Sequence, residues 1–300
     1  MRDIIIIGAG PAGLSAAIYA VRQQLDVLII TKNIGGQVLW GPSVENYLGY
    51  KKILGTDLAE KFLEHVKEYN VKIKEDETVT QVKKKEPGFI VETDKSSYET
   101  KTIIVTSGKE PRKLNVPGED RLAGKGVSYC ATCDGLFFMD QDVAVIGGGN
   151  AGIDAAIQLE KIAKKIYVIE ILDELKADRI SIEQVKKLDK VEIMLKTKVK
   201  EIKGDKEVQS IIIENEKGQK ELNVNGVFIE IGSLPSVDFV KDLKKNEFNE
   251  IVVNNKNETN IPGIFAAGDV TDVPEKQAIV SAGEGCKAAL SAFKFLSKNE

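Results

Sequence analysis

The chain has 300 residues, a formal net charge of −4, 42% hydrophobic and 29% charged residues. Its length implies two cores, and its mild acidity gives no electrostatic case for nucleic acid or an anionic membrane as partner. Three cysteines exclude a disulfide framework, and no apolar run approaches the ~20 residues of a membrane span, so a cytoplasmic protein is expected.

Residues 3–7 are an Ile-rich run, as a parallel strand buried on both faces requires. Gly8, Gly10 and Gly13 then suit a tight turn, a close approach to pyrophosphate and a close helix–strand contact. Pro11 fits the first helical position, where its missing N–H has no intrahelical partner anyway. Ala12 completes the turn, and Leu14, Ala17, Ile18 and Val21 recur at helical spacing before a strand at 26–30. Strand, glycine turn, helix and strand together point to dinucleotide binding. That second strand ends at Thr31-Lys32, not at the acid expected to hold a ribose hydroxyl.

Gly35-Gly36-Gln37 and Val44-Glu45-Asn46-Tyr47 lie in a loop placed to fold over a ligand, and Trp40 there reads as core or lid packing. Residues 56–69 read as a helix carrying His65, the single histidine, as a surface residue. Three short antiparallel strands are expected at 78–82, 88–93 and 97–100, then a buried strand at 102–106 ending in Ser107-Gly108. Residues 109–118, with two prolines and a glycine, read as a linker.

Next comes Cys130-Ala131-Thr132-Cys133-Asp134-Gly135. A Cys-x-x-Cys pair can form and open a short disulfide by exchange with a partner, and a carboxylate with a raised pKa beside it can move the protons. Asp134 alternatively reads as a turn or cap residue. Zinc would need about four ligands, and only Cys286 and His65 remain as soft donors. Cys286 reads as a packed apolar residue.

Beyond the dithiol the first pattern repeats. A strand at 143–146 runs into Gly147, Gly149, Asn150 and Gly152, a helix reaches Leu159, and a strand at 166–170 ends on Glu170. Antiparallel strands are expected at 192–202, 208–214 and 221–222, with a buried strand at 227–231 ending in Gly232-Ser233. Such an internal repeat is stronger evidence than either glycine turn alone. Residues 263–270 read as a strand running into Gly268-Asp269, and 276–296 as a helix with small residues for close packing. This last segment is expected to return to the first domain.

The Gly8–Gly13 turn, Gly35-Gly36-Gln37, Val44-Glu45-Asn46, the CATCDG stretch and Gly268-Asp269-Val270 resemble the low-molecular-weight thioredoxin reductases along essentially the whole chain. The resemblance implies an α/β fold of two Rossmann-like dinucleotide-binding domains. In that fold an FAD domain (1–112 and 246–300) is interrupted by an inserted NAD(P)H domain (113–245) that carries the dithiol. It places Gly8, Gly10, Pro11, Ala12, Gly13, Gly35, Gly36, Gln37, Asn46, Gly108, Asp269, Gln277 and Ala278 at FAD. It places Gly147, Gly149, Asn150, Gly152, Glu170, Lys176 and Gly232 at the nicotinamide dinucleotide.

By the same resemblance Cys133 neighbours the flavin, Cys130 attacks the partner and Asp134 moves protons, in a homodimer that reduces thioredoxin or a glutaredoxin-like protein. The family's NADPH enzymes carry a His-Arg-Arg cluster where this chain reads Glu170-Ile171-Leu172-Asp173-Glu174-Leu175-Lys176. A carboxylate there repels a 2′-phosphate and accepts from a ribose hydroxyl, so NADH is favoured over NADPH. In this detail the chain resembles the reductase module of the alkyl hydroperoxide reductase flavoproteins. It lacks their N-terminal thioredoxin-like extension, so an external carrier is expected.

The dithiol and the nicotinamide site share one domain and cannot face one flavin together. The second domain is therefore expected to turn on its connections near 109–117 and 235–246. Other readings are reduction of a peroxidase carrier, a ferredoxin-fed variant, and a flavin redox sensor without enzymatic turnover.

Overall fold

A computed structural model describes residues 1–40 and 44–298. The chain divides into two compact units. The first comprises Met1–Leu39, Asn46–Glu110 and the chain from Leu234 onward; the second is built on Pro111–Ser233.

The first unit opens with β1 (Arg2–Ala9), α1 (Pro11–Arg22), β2 (Val27–Ile34), α2 (Gly55–Lys67) and β3 (Lys72–Lys74). It continues through β4 (Val79–Lys85), β5 (Gly88–Thr93), β6 (Ser97–Val105) and the short β7 (Lys109–Pro111). The second unit holds α3 (Glu119–Leu122), β8 (Val127–Ser128), α4 (Ala131–Asp134), β9 (Asp142–Ile146), α5 (Asn150–Glu160), β10 (Lys165–Ile169) and α6 (Arg179–Val185). After these come β11 (Val191–Met194), β12 (Lys198–Lys203), β13 (Ser210–Asn215), β14 (Gly218–Asn223) and β15 (Gly226–Ile229). The chain then returns to the first unit through β16 (Ser233–Pro235), followed by β17 (Ile264–Ala266) and α7 (Ala278–Leu296).

In the first unit the order is β3-β2-β1-β6-β5-β4, with β17 also on β6. β3, β2, β1, β6 and β17 pair in parallel, whereas β4 and β5 continue from β6 antiparallel. Ile4, Ile5 and Ile6 of β1 are fully buried and alternate between two clusters, one facing α1 and α7, the other including Val82, Val91 and Val237. Each such side chain contributes about 1.5–3 kcal/mol by leaving water. The second unit has an all-parallel sheet, β11-β10-β9-β15-β8, and a separate antiparallel sheet, β12-β13-β14. In both parallel sheets the strands whose ends carry glycine turns sit centrally, where two-sided burial selects Ile and Val.

Several details differ from the sequence expectation. The strand pieces expected at 97–100 and 102–106 are one strand, β6: Thr100 and Thr102 are fully buried and their hydroxyls donate to the carbonyls of Thr102 and Asp3, so neither breaks it. The strand expected at 192–202 is two, β11 and β12 in different sheets, separated at Lys196, whose φ of 48° turns the chain. The linker is not featureless, since β7 pairs with β16 and buried Glu119 accepts from the Leu114 and Asn115 N–H groups. Finally, the chain returns to the first unit at Ser233/Leu234, before the expected 245/246. Val237, Val240 and Leu243 are buried in the cluster that holds Ile5, Ile7 and Ile103, and this apolar anchor fixes the boundary.

The C-terminal helix completes the first unit through one close approach. A Cβ at Gly285 of α7 would lie 2.0 Å from the Ala12 carbonyl oxygen in α1. Gly285→Ala is therefore expected to destabilise the protein by about 1–3 kcal/mol, as overpacking does; equal thermal denaturation midpoints for variant and parent contradict this contact.

Candidate functional site

The dithiol turn is built from the edge of the second sheet. β8, a two-residue strand absent from the sequence expectation, pairs in parallel with β15 through Val127↔Val227 and Ser128↔Phe228. Tyr129 and Cys130 come directly after it, and Tyr129 donates its hydroxyl hydrogen to buried Glu119. Cys130 caps α4: the Cys133 N–H donates to its Sγ at 3.2 Å, and the two cysteines form a disulfide with Cα atoms 5.3 Å apart. Cys133 is exposed and Cys130 half-buried. A sulfur that accepts a backbone N–H at a helix start is stabilised as thiolate, and Cys130 has that place.

Two carboxyl groups flank this turn. Asp134 Oδ2 accepts from the Ser128 hydroxyl at 2.6 Å, while its buried Oδ1 has no partner among the described residues. Burial raises the Asp134 pKa, opposed by that hydrogen bond. Glu230, just past β15, accepts from the Ala131 N–H at 3.3 Å. Sequence reasoning missed both Ser128 and Glu230. The available signal for Glu230 was an acid interrupting the apolar run from Val227 to Ile231.

The two glycine turns share one construction. At each, the second glycine precedes the helix as an N-cap with no side-chain cap (Gly10 for α1, Gly149 for α5). A Cβ at Gly10 or Gly149 would meet no atom within 4 Å, so open space faces the helix start. The third glycine closes helix on strand: a Cβ at Gly13 would lie 1.9 Å from the Gly8 carbonyl oxygen, and one at Gly152 would lie 2.0 Å from that of Gly147. In both units a side chain late in or just past the second strand accepts from the turn's middle N–H; the first unit's β2 runs on past Thr31 to Ile34, beyond the expected end at Thr31-Lys32. Thr31 Oγ1 takes the Ala9 N–H at 3.2 Å, and Glu170 Oε2 takes the Gly148 N–H at 2.5 Å. Thr31 thus fills structurally the place of the missing acid.

Around the first turn the structure gathers expected residues from across the chain. A Cβ at Gly36, whose φ is 58°, would lie 3.4 Å from Gly10 Cα, and one at Gly268, whose φ is 78°, would lie 3.0 Å from Ala12 Cβ. Gln37 Nε2 donates to Asp269 Oδ2 at 3.1 Å, and Asn46 Nδ2 donates to Gln277 Oε1 at 3.2 Å. Gly108 has a φ of 68° and free space at its Cβ position. Pro11 opens α1 and Ala278 opens α7. An uncapped helix start with open space, bordered by paired amides and an acid, fits the pyrophosphate and polar edges of FAD.

Around the second turn, Lys176 N–H donates to the Gly148 carbonyl at 2.8 Å and Asn150 Oδ1 accepts from the Asp178 N–H at 2.8 Å, which folds the loop after β10 over the turn. The Lys176 ammonium pairs with Glu174. Glu170 Oε1 also takes the Leu172 N–H at 2.9 Å. Gly232, at φ 92°, leaves open space at its Cβ position. These groups fit a second dinucleotide. His65 is exposed on α2 beside Tyr69, outside this constellation. The expectation for the Trp40 side chain lies outside the described residues. Among the described residues no helix is long and apolar enough to cross a membrane.

With this geometry, the family model for pyridine nucleotide-disulphide oxidoreductases matches residues 2–285. The chain belongs to this family, whose members use a flavin and a pyridine nucleotide. It is similar to an alkyl hydroperoxide reductase subunit of Staphylococcus epidermidis, with 40% identity over 99% of this chain and 59% of that protein. The chain thus spans about three-fifths of the curated relatives it matches. Among solved structures it is similar to a thioredoxin reductase from Streptococcus pyogenes, with 39% identity, a TM-score of 0.95 and 99% of each chain covered. It is also similar to one from Giardia duodenalis, with 32% identity, a TM-score of 0.92 and 99% of each chain covered.

Asp134 supplies a direct test. Its folded-state pKa lies above the unfolded value, so the folded state holds more protons and stability falls as pH rises from the unfolded pKa through the folded one. Asp134→Asn is expected to remove that fall, leaving the protein at least as stable at pH 8, while slowing exchange of the reduced dithiol with a small disulfide by about 10²-fold. A less stable variant with unchanged exchange contradicts a proton-handling role.

Proposed function

We propose that the protein is a thioredoxin reductase: an FAD-dependent enzyme that passes electrons from NADH through Cys130–Cys133 to the disulfide of a thioredoxin-like protein. The observation that carries this reading is the disulfide in a capped turn of the same unit that holds a complete glycine turn, Gly147 to Gly152. Bound FAD supplies a two-electron relay between the nicotinamide and sulfur. Gly10, Gly13, Gly36, Gln37, Asn46, Asp269 and Gln277 would hold that cofactor, and the N–H groups at the α1 start would serve its phosphates. Gly147, Gly149, Gly152 and Glu170 hold the nicotinamide dinucleotide.

The chain's own chemistry is thiol–disulfide exchange. Two electrons and two protons convert the Cys130–Cys133 disulfide to a dithiol. The Cys130 thiolate then attacks a partner disulfide sulfur, forming a mixed disulfide and releasing one partner thiolate. Cys133 attacks Cys130, which regenerates the internal disulfide and releases the second partner thiolate. Asp134, half-buried and raised in pKa, donates protons to these leaving thiolates.

Exposed apolar side chains beside the dithiol favour a protein substrate over a small disulfide. Leu136, Phe137 and Met139 are 60%, 36% and 60% exposed within six residues of Cys133, an unusual density of apolar surface at a reactive turn. The reading also requires the second unit to turn between steps, because dithiol and nicotinamide turn serve one flavin from the same unit.

NADH is preferred because Glu170 keeps a carboxylate at the end of β10, with two of its roughly four lone-pair sites used by backbone N–H groups. The remaining sites suit a ribose 2′-hydroxyl, and the stretch from Glu170 to Lys176 holds no arginine to neutralise a 2′-phosphate. Steady-state turnover against thioredoxin is expected to give kcat/KM for NADH at least about tenfold above NADPH, a difference of about 1.4 kcal/mol. A preference for NADPH overturns the donor assignment, and absence of thioredoxin reduction with either nucleotide overturns the function. Leu136→Ser with Phe137→Ser is expected to raise KM for thioredoxin about tenfold while leaving reduction of a small disulfide unchanged; equal loss with both substrates contradicts the docking role.

A further inference from the structure

Asp134 is not the only carboxyl at the dithiol turn. Glu230 leaves β15 where its N–H donates to the Ile146 carbonyl at the end of β9, and its own carbonyl oxygen would touch a Cβ placed on Gly147. Its side chain reaches the other way, to the N–H of Ala131, the residue that comes after Cys130 and opens α4. One residue thus touches both the second glycine turn and the peptide between the two cysteines. Glu230 is half-buried and carries no ion pair among the described residues.

We infer that Glu230 is a positioning residue of the dithiol, which holds the turn through the Ala131 N–H and shares a single negative charge with the reduced sulfurs, so that thiolate formation and Glu230 protonation are coupled. The inference rests on the exchange chemistry proposed above and deepens it. In the disulfide form no sulfur is charged, and the carboxyl answers only to its surroundings. Burial pushes it up to about 7, opposed by the Ala131 hydrogen bond. Reduction adds two electrons and two protons, and loss of one thiol proton then puts a thiolate one peptide unit from the carboxyl. A thiolate on Cys130, the residue before the Ala131 N–H that this carboxyl accepts from, adds a second negative charge near it and favours its protonation.

The surrounding elements offer little relief. β8 brings Ser128, whose hydroxyl is committed to Asp134; α4 brings Cys130, Cys133 and Asp134. The acid of β9, Asp142, lies at the opposite end of that strand. Glu170, beside the turn, is held by the Gly148 and Leu172 N–H groups, and Arg112 meets the strand exit through its backbone N–H to the Gly232 carbonyl.

Glu230→Gln tests the charge while keeping an oxygen for the Ala131 N–H. In the flavin-loaded protein reduced with dithiothreitol, the iodoacetamide alkylation rates of Cys130 and Cys133 are followed from pH 5 to 9 by peptide mass spectrometry. The parent is expected to show a two-step rise shared by thiol and carboxyl. The variant is expected to show a single step, with Cys130 about tenfold more reactive at pH 7, the effect of one pKa unit. An unchanged or slower profile overturns the inference. The unmutated protein gives a second readout: carbon NMR of the Glu230 carboxyl is expected to titrate at higher pH in the dithiol than in the disulfide form, and equal midpoints overturn the coupling. Neither measurement involves a nicotinamide or a partner protein, so failure of the assigned electron path leaves both outcomes readable.

Discussion

Two hydrogen-bonded residue pairs, Val127↔Val227 and Ser128↔Phe228, set the position of everything that reacts. Parallel pairing of β8 with β15 aims the two strands the same way, so the residues after each strand are delivered to the same sheet end. After β8 comes Cys130; after β15 comes Glu230; and β9, on the other side of β15, delivers Gly147. A redox-active pair, a carboxyl and a nucleotide turn thus meet at the carboxyl ends of parallel strands, where open α/β sheets place their ligands. The strand that brings the cysteines is the shortest of this sheet, and its register depends on Val127 being buried.

Each glycine turn needs three things at once: a backbone position free of Cβ near the helix start, a helix packed almost onto its strand, and an acceptor for the turn's middle N–H. Both units meet the first two with glycine at matching positions, and they diverge in the third. Thr31 supplies a neutral hydroxyl in the first unit, and Glu170 supplies a carboxylate in the second. The same structural duty is therefore performed by groups of different charge.

The parallel strands, glycine turns and helices of both units were legible because two-sided burial leaves continuous runs such as Ile4 to Ile7, and because glycine marks the close approaches. The dithiol was legible from spacing alone. Less visible were features set by single contacts across the sequence. β8 is too short to carry a period, and β6 reads as two pieces because Thr100 and Thr102 look polar, although their hydroxyls are satisfied by nearby carbonyls. The return to the first unit at Leu234 depends on three apolar residues, Val237, Val240 and Leu243, spaced through a segment without regular structure. Gln37 and Asp269, or Asn46 and Gln277, lie more than two hundred residues apart; only the resemblance grouped them beforehand. Glu230 escaped because a lone acid at a strand end ordinarily marks solvent.

The central claim is that electrons leave the protein through Cys130. Trapping tests it most directly: the Cys133→Ser variant, reduced and mixed with a thioredoxin whose second active-site cysteine is replaced by serine and whose first is activated as a mixed disulfide, is digested and sequenced by mass spectrometry. The account predicts a covalent adduct joining thioredoxin to the Cys130 peptide. An adduct at Cys286, or none while Cys130 is reduced, contradicts it.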